Sequence, residues 1–99
     1  MTPEGKVKSK VRDMLKRVGA WYTTPIASAY SRAGVPDYLA CHAGRFIAIE
    51  CKAGNGKTTK LQDRELAAIK ATGGIVFVVN ESNIGELRSF LGLPSKEIV

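Results

Sequence analysis

Pro36-Asp37-Tyr38-Leu39-Ala40-Cys41-His42-Ala43-Gly44-Arg45-Phe46-Ile47-Ala48-Ile49-Glu50-Cys51-Lys52 reads as a hairpin with acids gathered at its open end. Two β-prone segments, Asp37 to His42 and Arg45 to Lys52, flank Ala43-Gly44, and Gly44 accepts the positive φ that a tight turn demands. With a two-residue turn, His42 pairs with Arg45, and opposed residues have numbers that sum to 87. Asp37 then faces Glu50. Because side chains alternate with period two, Lys52 shares the face of Glu50 while Cys51 points the other way. The same parity places Cys41 and Cys51 on opposite faces and disfavours a bond between them. A three-residue loop would shift the register by one.

Opposed carboxylates about 5 Å apart repel by roughly 3 kcal/mol at an effective dielectric of about 20, which sheets normally avoid. A divalent cation would offset that repulsion, and hard oxygen donors select Mg²⁺ or Mn²⁺ over softer metals. The plainer alternative puts one acid at a solvated sheet end, in an ordinary salt bridge with Lys52. Spacing alone does not separate the two.

Outward from the hairpin, helix and strand alternate. A helix is expected from Pro3, with Thr2 as N-cap, Val7, Val11, Met14, Leu15 and Val18 at helical spacing, and Gly19 as its stop. Ala20 to Thr24 is a short strand candidate, and Pro25 to Val35 is irregular, with Tyr30 and Arg32 available to a substrate. After the hairpin come a Gly-rich polar loop, Ala53 to Thr59, and a helix over Lys60 to Thr72 that Gly73-Gly74 ends. Ile75-Val76-Phe77-Val78-Val79 is an unbroken apolar run, expected inside a sheet covered on both faces. A last helix is expected from Ile84 to Leu91. The order predicts an α/β fold, a mixed sheet flanked by helices, in one domain over residues 1–99.

Ninety-nine residues leave no room for a second domain, and 15 Lys+Arg against 9 Asp+Glu give a formal charge of +6, which favours a polyanionic partner such as nucleic acid. Lys6, Lys8, Lys10, Arg12, Lys16 and Arg17 crowd the first helix, although a solvated helix face would look the same. No stretch approaches a membrane span or a signal peptide, so a soluble, intracellular location is expected. Two cysteines and His42 are too few for a disulfide scaffold or a zinc site. Gly56-Lys57-Thr58 invites a phosphate-loop reading, but the glycine required five positions earlier is Cys51, and the later strand ends in Asn80 in place of a metal-binding Asp. No nucleotide cofactor is therefore expected. A basic loop with Lys57 and Lys60 near backbone phosphates is the simpler assignment.

Pro36-Asp37 and Glu50-Cys51-Lys52 resemble the signature of the PD-(D/E)xK nuclease superfamily, whose αβββαβ, restriction-endonuclease-like core fits the expected element order. Within it the protein looks like a small stand-alone VRR-NUC domain. The match runs through Glu4 in the first helix, Gly34-Val35-Pro36-Asp37, Ile49-Glu50-Cys51-Lys52, and Leu61-Gln62 opening the next helix. Val35 departs from the residues common before the Pro-Asp pair. The resemblance implies a Mg²⁺- or Mn²⁺-dependent DNA endonuclease, with Asp37, Glu50 and the backbone carbonyl of Cys51 as metal ligands. It further implies that Lys52 orients the attacking water, that Glu4 reaches the same metal directly or through water, and that Gln62 holds water or phosphate. Lys6, Lys10, Arg32, Lys57 and Lys60 are the candidate DNA contacts. It also suggests resolution of Holliday (four-way) junctions by a homodimer, in the cytoplasm of a bacterial or phage-infected host cell. The dimer surface would be the exposed part of 84–93 or the 25–35 loop. The rival readings are a catalytically silent nucleic-acid-binding module and a flap or nicking nuclease of a larger assembly.

Overall fold

The fold is seen in a computed structural model, which describes residues 1–26 and 32–94; Tyr30 lies outside them. Helix α1 spans Pro3–Arg17, and the Thr2 side chain accepts the Gly5 N–H at 3.0 Å while Pro3 opens the first turn. Val7, Val11, Met14 and Leu15 form its buried stripe. Strands β1 (Trp21–Thr23), β2 (Tyr38–His42) and β3 (Arg45–Cys51) follow, then α2 (Lys60–Ala71), β4 (Ile75–Val79) and α3 (Ile84–Phe90). The expected order therefore holds, with element ends moved by one or two residues.

The strands lie in the order β1-β2-β3-β4, antiparallel except for the parallel β3/β4 pair. Parallel pairing needs a crossover, and α2 supplies it. On one face of the sheet Tyr38, Ala40, Ile47, Ile49, Cys51 and Val79 join the α1 stripe in a single core, which Leu87 and Leu91 complete. Ala48, Glu50 and Leu66 are buried outside that cluster, on the α2 side. One expectation needs correction. β4 is an edge strand, not an interior one, and Val78 is 40% exposed. The interior strand is β3, whose residues from Ile47 to Cys51 are all buried. An apolar run shows that a strand is hydrophobic; it does not fix its position in the sheet.

The turn has two residues. His42 pairs with Arg45 and Tyr38 with Ile49, so the 87-sum register is the one adopted. Ala43 has φ 52° and Gly44 φ 77°, the double left-handed geometry of hairpin turns whose twist matches the strands. Alanine adopts that region at a cost of about 1 kcal/mol. Ala43→Gly should therefore stabilise the protein by roughly that amount, read as a rise in the urea midpoint; an unchanged or lower midpoint would mean the turn is not strained at Ala43. No described helix is long and apolar enough to cross a membrane.

Candidate active site at the open end of the hairpin

The exit of β3 carries three of the expected groups, and their alternation decides what each can do. Cys51 points into the α1 core with no exposed surface, and burial, then the charges of Asp37 and Glu50, push its thiol up to about 12. Its sulfur is thereby a packing group, which leaves only its backbone for the site. Glu50 and Lys52 face the other way, with Lys52 Nζ 3.3 Å from Glu50 Oε2. Cys41 is exposed and Cys51 buried, both as free thiols.

Glu50 is 2% exposed, an unusual position for a carboxylate. Its Oε2 receives the Gln62 Nε2 donor at 3.1 Å in addition to Lys52. Its Oε1 is buried with no hydrogen-bond partner. Burial first, and then the Asp37 charge, raise the Glu50 pKa above the ordinary value, against the opposing pull of Lys52.

Asp37 sits one residue before β2 and meets the site through its side chain. Asp37 Oδ2 accepts the Cys51 N–H at 2.8 Å, so the carboxylate closes the end of the β2/β3 ladder. Asp37 Oδ1 lies 3.5 Å from Lys8 Nζ, and Lys8 Nζ is 3.5 Å from Glu4 Oε2. Burial opposes the charge of Lys8, but Asp37 and Glu4 together outweigh it and hold its pKa above the usual lysine value. The acid repulsion foreseen from the sequence is thus met partly by the protein's own cations, Lys8 and Lys52. Among the described residues no group of three or more His, Cys, Asp or Glu side chains could hold a metal ion, and Lys8 contacts both Glu4 and Asp37.

Gln62 reaches Glu50 because of how α2 begins. Thr59 Oγ1 accepts the Gln62 N–H at 3.2 Å, and Gln62 Oε1 accepts the Thr59 N–H at 2.9 Å, a reciprocal capping box. The amide oxygen is thereby committed and Nε2 is turned towards Glu50. Gly34 sets the distance between α2 and the Pro36-Asp37 segment: a Cβ there would lie 2.5 Å from the backbone carbonyl carbon and oxygen of Leu61.

The basic residues are spread around this centre. Lys6 and Lys10 line a groove with Pro3, Val7, Glu81 and Ile84, and Glu81 Oε1 accepts the Gly54 N–H at 2.8 Å. The start of the 53–59 loop therefore adjoins that groove, while Lys57 and Lys60 are exposed farther along. Arg32 is not a free cation: its Nε and Nη2 donate to Glu65 at 2.6 and 3.1 Å. Arg64 Nε binds the same carboxylate at 3.1 Å, and the two arginines, Arg32 first, hold the Glu65 pKa below the usual range. Sequence reasoning missed Lys8 and Glu65. For Lys8 the signal was present, since position i+4 from Glu4 shares its helix face; Glu65 has no comparable local cue.

No protein-family model matches this protein, and no curated protein matches it. Solved structures do. The sheet and its helices have the restriction-endonuclease-like arrangement of PD-(D/E)xK-type nucleases. Within that class, the protein is similar to a structure described as a VRR_NUC domain, with TM-score 0.74 and 26% identity over 90% of this chain and 97% of that one. It shares its fold with Hjc of Archaeoglobus fulgidus, a Holliday junction resolvase from an archaeal hyperthermophile, at TM-score 0.59 and 16% identity, covering 77% and 66% of the two chains.

Proposed function

We propose that this protein is a metal-dependent, structure-selective DNA endonuclease that acts as one domain and resolves four-way junctions as a homodimer. The observation that carries the reading is Glu50, a carboxylate buried beside Asp37 with Oε1 left without a partner. A buried anionic oxygen costs stability unless something pairs with it, and hard oxygens fit Mg²⁺ or Mn²⁺. Asp37, Glu50 and the backbone carbonyl of Cys51 would hold such an ion, with Glu4 nearby. When bound it would acidify a water and neutralise phosphate charge.

The protein's own groups do the rest. Lys52 fixes Glu50 through Oε2 and presents a point charge where negative charge grows on the phosphorane. Gln62 holds the same oxygen from α2 and limits the rotation of Glu50. Lys6, Lys10, Lys57 and Lys60 supply phosphate contacts along the groove and loop, with Arg32 farther round on the Glu65 pair. Similarity to a junction resolvase supports the branched substrate. Paired incision requires two sites related by a two-fold axis, which a single domain provides only as a dimer.

Labelled linear duplex, flap and four-way junction, each incubated in Mg²⁺, Mn²⁺ and EDTA, test the reading. Metal-dependent cutting of the junction is expected; no cutting of any substrate would remove the enzyme assignment, and cutting of flaps alone would replace the junction by a flap. Asp37→Ala and Lys52→Ala should each lower cleavage by about 10³-fold and change DNA affinity by less than about threefold, since the basic surface supplies most binding. Normal cutting by either variant would show that the chemistry lies elsewhere.

A further inference from the structure

Lys8 is placed by two independent contacts. Its carbonyl accepts the Tyr38 hydroxyl at 2.8 Å, and Tyr38 is the residue next to Asp37, so α1 is tied at Lys8 to the segment that carries the acid. Its ammonium lies 3.5 Å from both Asp37 Oδ1 and Glu4 Oε2. Both distances exceed those of a close charge-assisted hydrogen bond, and the side chain is 38% exposed. The backbone is therefore fixed while the ammonium is held loosely, between two acids, by charge. Asp37 Oδ2 accepts the Cys51 N–H, whereas Oδ1, with no N–H of its own among the described residues, faces Lys8, so a cation taken up on Oδ1 would meet the ammonium there.

We propose that Lys8 is a built-in competitor for the divalent cation: its ammonium neutralises Asp37 Oδ1 in the metal-free protein and must leave when the ion binds, after which it is free to meet a DNA phosphate. This rests on the metal-dependent reading above and makes Lys8 a positioning residue that couples metal occupancy to DNA contact. Two like charges do not share one carboxylate oxygen without strong repulsion, so the ion and the ammonium exclude each other. The four methylenes of Lys8 let the ammonium swing outward while the Tyr38 bond keeps its backbone in place.

Mn²⁺ titration by calorimetry, without DNA, separates the possibilities. Lys8→Met, which keeps the aliphatic stem, should bind Mn²⁺ about 3- to 10-fold more tightly than the unaltered protein, and Lys8→Gln should behave alike. Lys8→Arg, which restores the charge, should return the affinity towards the original. A second readout is the salt dependence of junction binding. Lys8→Met should leave the slope unchanged in EDTA, where Lys8 is engaged with the acids, and reduce it by about one phosphate contact when Ca²⁺ replaces the catalytic ion. If the unaltered protein binds Mn²⁺ and Lys8→Met binds it equally or more weakly, competition is wrong while the nuclease assignment stands. If neither protein binds Mn²⁺, both fall.

Discussion

Replacing Glu50 by glutamine is expected to abolish cleavage and, in metal-free buffer at neutral pH, to make the protein more stable. The loss of cleavage follows from removing the buried anionic oxygen that would hold the ion, and should reach about 10³-fold. The gain in stability follows from the net effect of the site on that carboxylate. Burial and Asp37 disfavour its charged form more than Lys52 favours it, which is why its pKa lies above the ordinary 4.5. Glutamine keeps an acceptor for Lys52 and removes the charge. Because the folded protein disfavours the charged form even with Lys52 beside it, removing the charge should raise stability at pH 7.

The pH dependence has a fixed sign. An acid whose folded pKa is raised binds a proton more readily when folded, so its stabilising contribution is full below the unfolded pKa and is lost as pH rises through the folded one. Glu50→Gln lacks that loss. Its advantage in urea unfolding should therefore be largest at pH 7, shrink as pH falls towards 4.5, and be gone below that. A variant that cuts normally, or that is less stable than the parent at pH 7 in EDTA, would contradict this role for Glu50.

The hairpin end is legible in the sequence because a two-residue turn leaves one register. Once Ala43-Gly44 is the turn, Asp37 must lie near Glu50, and Lys52 must share its face. Gln62 is reachable only through the motif resemblance; its capping box explains why the amide can point nowhere else. Local pattern says less about neighbours distant in sequence. The position of β4 at the sheet edge depends on which strand the α2 crossover returns to, and five apolar residues carry no mark of that. Arg32 reads as a free cation in the sequence, and only the fold brings Glu65 beside it across 33 positions.

Lys8 is hidden for a different reason. In the sequence its charge is one of a basic run, and although i+4 spacing pairs it with Glu4, nothing local says that Asp37 also lies beside it. Counting charge along the sequence predicts partners; the geometry around one ammonium decides whether that charge is available to them. Of the basic groups in the first two turns of α1, Lys6 and Lys10 line the groove beside Glu81, whereas Lys8 is turned towards the acids. The helix therefore presents cations to two different surfaces, the groove beside Glu81 and the acids Glu4 and Asp37.

Gly34→Ala is expected to damage both stability and cleavage, through contact and not through strain alone. Gly34 has φ +82°, and a Cβ there would meet the Leu61 carbonyl carbon and oxygen at 2.5 Å and the Gln62 nitrogen at 2.9 Å. These are backbone atoms of the first turn of α2, so no rotamer change relieves the overlap; the helix start has to move. Left-handed alanine costs about 1 kcal/mol and forced overpacking about 1–3 kcal/mol more, for a total of about 2–4 kcal/mol. Movement of Gln62 also releases Glu50 from its 3.1 Å donor, and a shift of about 1 Å at a reacting centre lowers rate by about 10²-fold. Gly19 is the control: its φ is +71°, yet nothing lies within 4 Å of the position its Cβ would take. Gly19→Ala should cost only the strain and leave cleavage within about twofold. If the two variants lose equal stability and both keep full activity, close approach of α2 is not what Gly34 provides, and the spacing between Asp37 and Gln62 must be set by some other contact.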